Sequence, residues 1–364
     1  MTSYLISGPC AAESQSQLRA AAHSFIELTE RLRSEGRFAG VRAVFRAGAW
    51  KPRTKPGCFE GHGEEALKWL AGIQHDYRID TATEVATPEQ ASLALKYGIR
   101  CWWLGARTTT NPFLVQQIAD ILSGYEHERP LVLVKNPVSP DLMLWQGAIE
   151  RMEQAVGKGR VVAVHRGFTS AAPHSLLRNA PKWSLALSLK SARPDVPLLL
   201  DPSHMAGNTA AIPLLCRQAM ELAYDGLMIE MHPHPEEALS DADQQLAPSQ
   251  LLEVLRSLPE VRGREESAAD NAKQTTVSTM LAEYRVQIDE IDDELWQLLL
   301  RRTELSREIG DYKKAHHLSV LQPERWQSIV AKRLAWAENN GLSEETTMRI
   351  LDAIHDESRR HQNN

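Results

Sequence analysis

Four side chains with metal-binding chemistry follow short apolar runs of the sequence. One stands near the N-terminus, behind the run Tyr4 to Ile6, and the other three lie within residues 201–243. Thiol, imidazole and carboxylate donors together suit a soft-to-borderline divalent cation. The predicted ligands are Cys10, His204, Glu230 and Asp241. Asp243 is a rival to Asp241, and only the register of the SDAD turn favours Asp241.

A second set of side chains in equivalent positions is cationic, although the chain as a whole carries a net charge of -6. In an acidic chain, anions are attracted only by local clusters of lysine and arginine. Guanidinium and ammonium groups pair well with phosphate and carboxylate. The cations are Arg46, Lys51, Arg53, Arg107, Lys135 and Arg166. They predict one or two substrates that are rich in these anionic groups.

Short apolar runs alternate with amphipathic segments over the first 258 residues. Strands are expected at 4–7, 41–45, 79–82, 101–104, 131–134, 161–164, 198–200 and 227–229, each followed by a helix. Eight such units in about 250 residues predict an α/β fold, the (β/α)8 or TIM barrel. An open doubly wound sheet fits the alternation too, but no glycine-rich dinucleotide turn follows the first strand. In a barrel, the side chains directly after the strands share the catalytic face.

The composition argues against several kinds of partner and location. A net charge of -6 gives no general attraction to nucleic acid or to an anionic membrane. No apolar run approaches the roughly 18 residues that a transmembrane helix needs. The 4 cysteines have no paired spacing, and the first residues lead into a strand without a signal-like segment. We therefore expect a reduced, cytoplasmic protein.

The pattern changes after residue 258. Residues 259–277 are polar and lack apolar periodicity, which predicts a linker between a barrel at 1–258 and a second domain at 278–364. In that domain, apolar residues recur at three- and four-residue steps along one helix of roughly 35 to 40 residues. Two shorter helices are expected from Pro323 to Gly341 and from Ser343 onwards. Because one helix of this three-helix, all-α domain is overlong, we expect a homodimer that covers its apolar stripe.

The motifs of the barrel resemble, in order, those of type I 3-deoxy-D-arabino-heptulosonate 7-phosphate (DAHP) synthases of the β subgroup. They are Gly8-Pro9-Cys10, RAGAWKPRT at 46–54, GART at 105–108, Lys135-Asn136, HRG at 165–167, DPSH at 201–204, EMHP at 230–233 and LSD at 239–241. The resemblance spans residues 3 to 257. The related 3-deoxy-octulosonate 8-phosphate synthases carry KANR where this chain has KPRT at 51–54.

The resemblance implies a condensation of phosphoenolpyruvate with erythrose 4-phosphate. It implies that a divalent metal, manganese first and then iron, cobalt or zinc, is bound by Cys10, His204, Glu230 and Asp241. For phosphoenolpyruvate it implies Arg46, Lys51 and Lys135 on the carboxylate, with Arg107 and Arg166 on the phosphate. Arg53 and Thr54 would bind erythrose 4-phosphate. Lys51, His204 and a metal-bound water stay open as proton-transfer groups.

The C-terminal residues resemble the all-helical, AroQ-type chorismate mutases over about 278 to 363. The residues that carry this likeness are Arg285, Arg302, Lys313, Arg325, Ser358 and Gln362. Steps of 17 and 11 residues separate the first three, close to whole helical turns, so these cations share one helix face. The resemblance implies that the six bind chorismate, with Lys313 and Gln362 on the breaking ether oxygen. It also implies that Arg285 reaches into the site of the partner subunit.

The sequence departs from the mutase pattern at two positions. Trp326 stands where a glutamate is usual, and Gln322 stands where an aspartate is common. Three functions therefore stay open: a bifunctional enzyme, a synthase whose helical domain only binds chorismate or prephenate and dimerises, and a different metal-dependent phosphosugar aldolase. Fusion of the two domains also predicts that prephenate inhibits the synthase.

Overall fold

The computed structural model describes residues 3–52, 57–169, 177–259, 272–317 and 323–363. Within these ranges, the N-terminal part of the chain forms a closed barrel of parallel strands in chain order. The strands are β1 Tyr4–Gly8, β2 Arg42–Arg46, β3 Asp80–Glu84, β4 Cys101–Leu104, β5 Leu131–Lys135, β6 Val161–His165, β7 Leu198–Leu200 and β8 Gly226–Glu230. The predicted (β/α)8 fold is confirmed, and each predicted strand is present.

Helices follow the strands and cover the outside of the barrel. They are α1 Gln15–Ser34, α2 Glu64–Tyr77, α3 Pro88–Lys96, α4 Ala106–Thr109, α5 Pro112–Ser123, α6 Leu142–Val156, α7 Trp183–Ala192, α8 Pro202–Ala206, α9 Ile212–Glu221 and α10 Pro248–Ser257. Several begin at a polar N-cap whose side chain accepts a backbone N–H of the first turn: Ser14, Thr87, Asn111 and Asp141. These caps start each helix at a defined residue and so fix the loops that carry the strand-end side chains.

The strands are buried on both faces, as is usual for a parallel sheet. Tyr4 and Ile6 of β1 belong to the cluster inside the barrel, whereas Leu5 packs in the outer layer against the helices. The parallel register of β1 with β8 pairs Gly8 with Glu230. The first and last strands therefore end side by side, which brings the loop after β1 next to Glu230.

The chain divides into two compact units, residues 1–287 and 288–364. Helices α11 Ala272–Ala315, α12 Pro323–Asn339 and α13 Glu344–Asn363 are the remaining α-helices of the described residues. The long helix predicted here is present, with 44 residues. It starts inside the segment predicted as a linker, and neither glycine nor proline interrupts the chain from residue 272 to residue 309. The domain limits at 258 and 278 stay a prediction.

Gly310 lets α11 and α13 pack closely in the second unit. A Cβ at this position would lie 2.7 Å from Cα of Gln362, closer than packed atoms approach. Among all helices in the part of the chain that the structure describes, none is both long enough and apolar enough to cross a lipid bilayer.

Candidate functional site

The predicted ligands lie together at the carboxyl end of the barrel. Sγ of Cys10 is 3.2 Å from Oδ2 of Asp241, and Nε2 of His204 is 3.7 Å from Oε1 of Glu230. Nη2 of Arg46 donates to the same oxygen of Glu230 at 3.1 Å. Burial would raise the pKa of Glu230, but the positive charges of His204 and Arg46 lower it below its ordinary value. Glu230 is therefore a buried, ionised carboxylate.

Lys51 lies against the pair formed by Cys10 and Asp241. Its Nζ donates to Sγ of Cys10 at 2.7 Å and is 3.7 Å from Oδ2 of Asp241. Burial, and then the charge of Glu230, raises the pKa of Cys10 to about 12, so the side chain is a thiol that donates to Asp241. Burial would also raise the pKa of Asp241, but the charge of Lys51, the hydrogen bond from Cys10 and further nearby positive charges together lower it to about 2.

The DPSH segment supplies its own support for His204. Asp201 is the N-cap of α8, with Pro202 in the first turn, and its Oδ1 accepts the backbone N–H of His204 at 3.1 Å. Nδ1 of the His204 ring is 3.0 Å from the same oxygen. In the neutral ring, an Nδ1–H that donates there leaves Nε2 without a proton and facing Glu230, which is the tautomer that a metal ligand needs. The charged ring, which lowers the pKa of the neighbouring carboxylates, carries a proton on both nitrogens. Burial would raise the pKa of Asp201, but the charges of His204 and Lys135 hold it well below its usual range.

The four predicted ligands are arranged as two pairs. Among the residues at 3–52, 57–169, 177–259, 272–317 and 323–363, no three His, Cys, Asp or Glu side chains form a group at metal-binding spacing. The ammonium of Lys51 already balances the negative charge beside Cys10. The donors nevertheless fit a borderline divalent cation by type, because both carboxylates are ionised and the imidazole presents Nε2.

Arg46 and Lys135 form a buried cationic wall beside these donors. Arg46 is 1% exposed, and its guanidinium carbon lies 4.5 Å from the ring centre of Trp103. Two of its nitrogens, Nε and Nη1, are buried without an acceptor among the described residues. Nζ of Lys135 donates to Oδ2 of Asp201 at 2.7 Å. A buried guanidinium with unused N–H groups is suited to a ligand carboxylate or phosphate.

Two further predicted cations stand around this wall. The backbone N–H of Arg166 donates to Oδ1 of Asn136 at 2.7 Å, and its side chain is held by Nη1, which donates to Oδ1 of Asn179 at 2.8 Å. Arg107 is exposed, and its Nη1 donates to the carbonyl oxygen of Pro52 at 2.6 Å. Arg53 and Thr54, the residues predicted for the aldose phosphate, lie outside the described residues.

Four polar residues of the site were missed by the sequence interpretation: Arg178, Asn179, Gln244 and Gln245. Nε2 of Gln244 donates to Oε2 of Glu230 at 2.7 Å, and its Oε1 accepts from Nη1 of Arg178 at 2.7 Å. They stand in loops or, for Gln244, in the short 3-10 helix Ala242–Gln244, and not directly after a strand, so their position in the sequence does not mark them. The neighbouring Gln245, whose Oε1 accepts the backbone N–H of Cys10 at 2.9 Å, was missed for the same reason.

In the helical unit, the structure pairs four of the predicted ligand-binding residues. Arg302 donates to Oγ of Ser358, and Nζ of Lys313 is 3.3 Å from Oε1 of Gln362. Arg325 and Arg302 also line one cleft of about 580 Å³ with side chains of α12 and α13. Arg285 is exposed on α11.

The residue that departs from the mutase pattern has a defined partner. The ring of Trp326 stacks on His355, with the ring centres 4.1 Å apart and the planes 27° apart. Gln322, the other departure, lies outside the described residues. A stacked indole has no acceptor oxygen, so Trp326 does not replace the glutamate chemically.

Two family models match the chain. The DAHP synthetase I family model matches residues 2–265, and the chorismate mutase type II model matches residues 284–363. Both predicted resemblances are thereby confirmed, and the matches give the chain a synthase-type barrel followed by a mutase-type helical domain.

Individual relatives resemble the barrel. Phospho-2-dehydro-3-deoxyheptonate aldolase of Thermotoga maritima is 29% identical over 245 residues, which are 66% of this chain and only 64% of that protein. A 2-dehydro-3-deoxyphosphooctonate aldolase of Nitratidesulfovibrio vulgaris is 26% identical over 274 residues, 70% of this chain and 90% of that protein. The crystal structure of the T. maritima DAHP synthase superposes with a TM-score of 0.58 at 26% identity, covering 70% of this chain and 67% of that one.

Proposed function

Because this chain belongs to the DAHP synthetase I family, we propose that its barrel condenses phosphoenolpyruvate with erythrose 4-phosphate, with addition of one water at C2 of phosphoenolpyruvate, to give 3-deoxy-D-arabino-heptulosonate 7-phosphate and phosphate. The observation that carries the proposal is the buried guanidinium of Arg46, two of whose nitrogens lack an acceptor among the described residues. It adjoins buried Lys135, within a site that also contains Arg166. Such a group of cations suits a small substrate that carries both a carboxylate and a phosphate.

The side chains of the barrel would hold two anions that otherwise repel each other. Arg46, Lys51 and Lys135 would bind the carboxylate of phosphoenolpyruvate, while Arg107 and Arg166 would bind its phosphate. Arg53 and Thr54 would bind erythrose 4-phosphate. Fixing both substrates removes much of the entropic cost of a reaction between two molecules, and charges inside a dry site act more strongly than in water.

A divalent metal fits this chemistry, and we propose manganese, with iron, cobalt or zinc also compatible with the donors. The proposed ligands are Cys10, His204, Glu230 and Asp241. When bound, such an ion supplies Lewis-acid polarisation of the aldehyde oxygen. Lys51 would then be free of Cys10 and available to a substrate anion or for proton transfer, a role that we also propose for His204.

A product assay tests this proposal. With phosphoenolpyruvate and erythrose 4-phosphate, we expect a seven-carbon product by mass spectrometry, loss of turnover after exhaustive chelation, and recovery with Mn²⁺. Arabinose 5-phosphate is the control substrate. Octulosonate aldolases are among the relatives, so formation of an eight-carbon product is the main alternative. The KPRT segment favours the four-carbon sugar. Full activity in exhaustive chelator would refute the metal role, and a product formed only from arabinose 5-phosphate would refute the substrate.

For the helical domain, we propose rearrangement of chorismate to prephenate. Arg302 and Arg325, which line one cleft, would bind the carboxylates, with Ser358 beside them and with Arg285 supplied by the partner subunit. Lys313 and Gln362 are paired and would donate to the breaking ether oxygen, which stabilises charge that develops in the transition state. The reaction needs a bound compact conformer rather than a covalent intermediate.

A specific observation favours the alternative, a domain that binds chorismate or prephenate without turnover. Trp326 occupies the glutamate position and stacks on His355. A mutase assay on the full chain separates the two functions: a catalytic domain gives prephenate, and Gln362→Ala lowers kcat. Binding of chorismate without any prephenate would identify the domain as a sensor.

We propose two consequences for assembly and regulation. The exposed apolar stripe of α11 would be covered in a homodimer, and prephenate bound in the helical domain would inhibit the synthase. The protein would act in the cytoplasm on small-molecule substrates.

A further inference from the structure

Asn179 connects two groups of the site that have different proposed ligands. Its Nδ2 donates to the backbone carbonyl oxygen of His204 at 2.6 Å, and its Oδ1 accepts from Nη1 of Arg166 at 2.8 Å. The residue is 4% exposed, so both ends of its amide are buried and used. One contact reaches the helix that carries a proposed metal ligand, and the other reaches a cation proposed for the substrate phosphate.

The preceding residue, Arg178, reaches the remaining carboxylates. Its Nη1 donates to Oε1 of Gln244 at 2.7 Å and lies 3.4 Å from Oδ1 of Asp241. Gln244 in turn donates to Glu230 at 2.7 Å. Two consecutive residues therefore contact, directly or through one amide, three of the four proposed metal ligands.

The backbone at these two residues is fixed against α8. The N–H groups of Arg178 and Asn179 donate to the carbonyl oxygens of the last two residues of α8, at 3.1 and 3.0 Å. A Cβ on Gly207 would lie 2.6 Å from Cβ of Arg178, and a Cβ on Gly167 would lie 2.8 Å from Cβ of Asn179. Both glycines also have positive φ, 71° and 78°. The close approach that the two side chains need is thus built into the adjoining turns.

We infer that Asn179 is a positioning residue that holds Arg166 and the His204 backbone in fixed relation, so that its loss weakens the phosphate site and the metal site together. The inference rests on the proposed function for the identity of the two ligands. Partners that orient a ligating residue typically account for about 10- to 100-fold in metal affinity or activity. Arg166 also carries the positive charge that the phosphate would meet, and an unrestrained guanidinium costs more entropy to order on binding.

Asn179→Ala in the full chain tests the inference by equilibrium binding without turnover. We expect the Kd for Mn²⁺ to rise about 10- to 100-fold and the Kd for phosphoenolpyruvate, titrated without the aldose phosphate, to rise as well. Asn208→Ala is the matched control: its amide donates to the carbonyl oxygen of Ala206 at 3.3 Å, at the end of the same helix. The control should keep both Kd values within about twofold, a difference of about 0.4 kcal/mol, and thermal unfolding of each variant reports any general loss of stability.

Unchanged Mn²⁺ and phosphoenolpyruvate affinities in Asn179→Ala, or equal losses in Asn208→Ala, would overturn the inference. If Asn179→Ala does not fold, Asn179→Asp keeps an acceptor for Arg166 and removes the donor to His204. Weaker Mn²⁺ binding in that variant supports the inference, and unchanged Mn²⁺ binding overturns it. A wild-type chain that binds both ligands but forms no heptulosonate product would defeat the proposed function and leave the positioning role standing.

Discussion

Two histidines that follow neighbouring strands have opposite surroundings. His204, after β7, is bound through Nδ1 to Asp201 and faces Glu230. His165, at the end of β6, is fully buried: Nε2 donates to the carbonyl oxygen of Pro181 at 2.6 Å, and Nδ1 accepts from the Tyr224 hydroxyl at 2.8 Å. Both ring nitrogens of His165 are thus used in packing the barrel wall. A strand-end position makes a polar residue a candidate for the site, and the contacts decide its role.

The burial of His165 makes stability depend on pH. Burial lowers the pKa of His165 from 6.5 to about 3, so between these values only the unfolded chain takes up the proton. Stability from this group is complete above pH 6.5 and falls as the pH decreases, by about 1.4 kcal/mol per pH unit. We expect His165→Gln to show a shallower loss of unfolding free energy than wild type between about pH 7 and about pH 5, as measured by urea denaturation.

His75→Gln is the control for that measurement, because the side chain of His75 is 89% exposed. It should reproduce the wild-type pH dependence. Equal slopes for wild type and His165→Gln would show that the buried imidazole does not carry the effect.

Most of the site residues that the sequence revealed lie at the end of a strand or shortly after it. Cys10, Glu230 and Arg46 could be found in this way because the barrel brings all strand ends to one face. Asn179 and Gln244 could not, since their loops approach the site only through tertiary hydrogen bonds. Choosing Asp241 over Asp243 required the register of a turn, and the structure places Asp241 beside Cys10.

Among the elements, the strands were the most predictable and the short helices the least. Runs such as Leu131–Lys135 are buried along their whole length, so apolar composition alone marks them. The five-residue helix α8 is too short to show a period of 3.6 residues, yet its Asp201 cap and Pro202 form a local signal. Helix α11 extends further than its apolar period, because residues that favour helix can lengthen it without packing.

The apolar stripe of α11 leads to a prediction about assembly. Its members are each at least 48% exposed and are Ile288, Ile291, Leu295, Leu298, Leu305, Ile309 and Tyr312. Exposed apolar patches of this extent mark interfaces. We expect wild type to be a dimer, and Ile291→Glu combined with Leu298→Glu to be a monomer, because carboxylates would be buried without partners.

Sedimentation velocity at micromolar concentration measures this change. Asp293→Asn, an exposed polar position on the same helix, is the control and should remain dimeric. A monomeric wild type, or a double variant that still dimerises, would show that the stripe has another role.

At the level of the whole molecule, composition and pattern predicted two domains, and two family models match them separately. The limits of the domains are harder to predict, because the two compact units of the structure are divided after residue 287, within the continuous helix α11. A helix crosses such a limit without any change in local periodicity. A boundary inferred from composition therefore marks where packing changes character rather than where an element ends.

Joining the two proposed activities in one chain predicts communication between them. If prephenate binds the helical domain and favours a less active synthase, we expect it to lower synthase turnover at fixed substrate concentrations. Thermodynamic linkage then requires phosphoenolpyruvate to weaken prephenate binding by the same factor that prephenate weakens phosphoenolpyruvate binding, typically about 5- to 150-fold. Titrations of each ligand with and without the other measure both factors. Gln362→Ala removes a side chain paired with Lys313 and should reduce both coupling factors together. Asn340→Ala, just after α12, is the control. Its amide donates to a carbonyl oxygen of that helix, so its loss should leave both coupling factors unchanged. Synthase kinetics and phosphoenolpyruvate affinity that ignore saturating prephenate would mean that the two domains work independently.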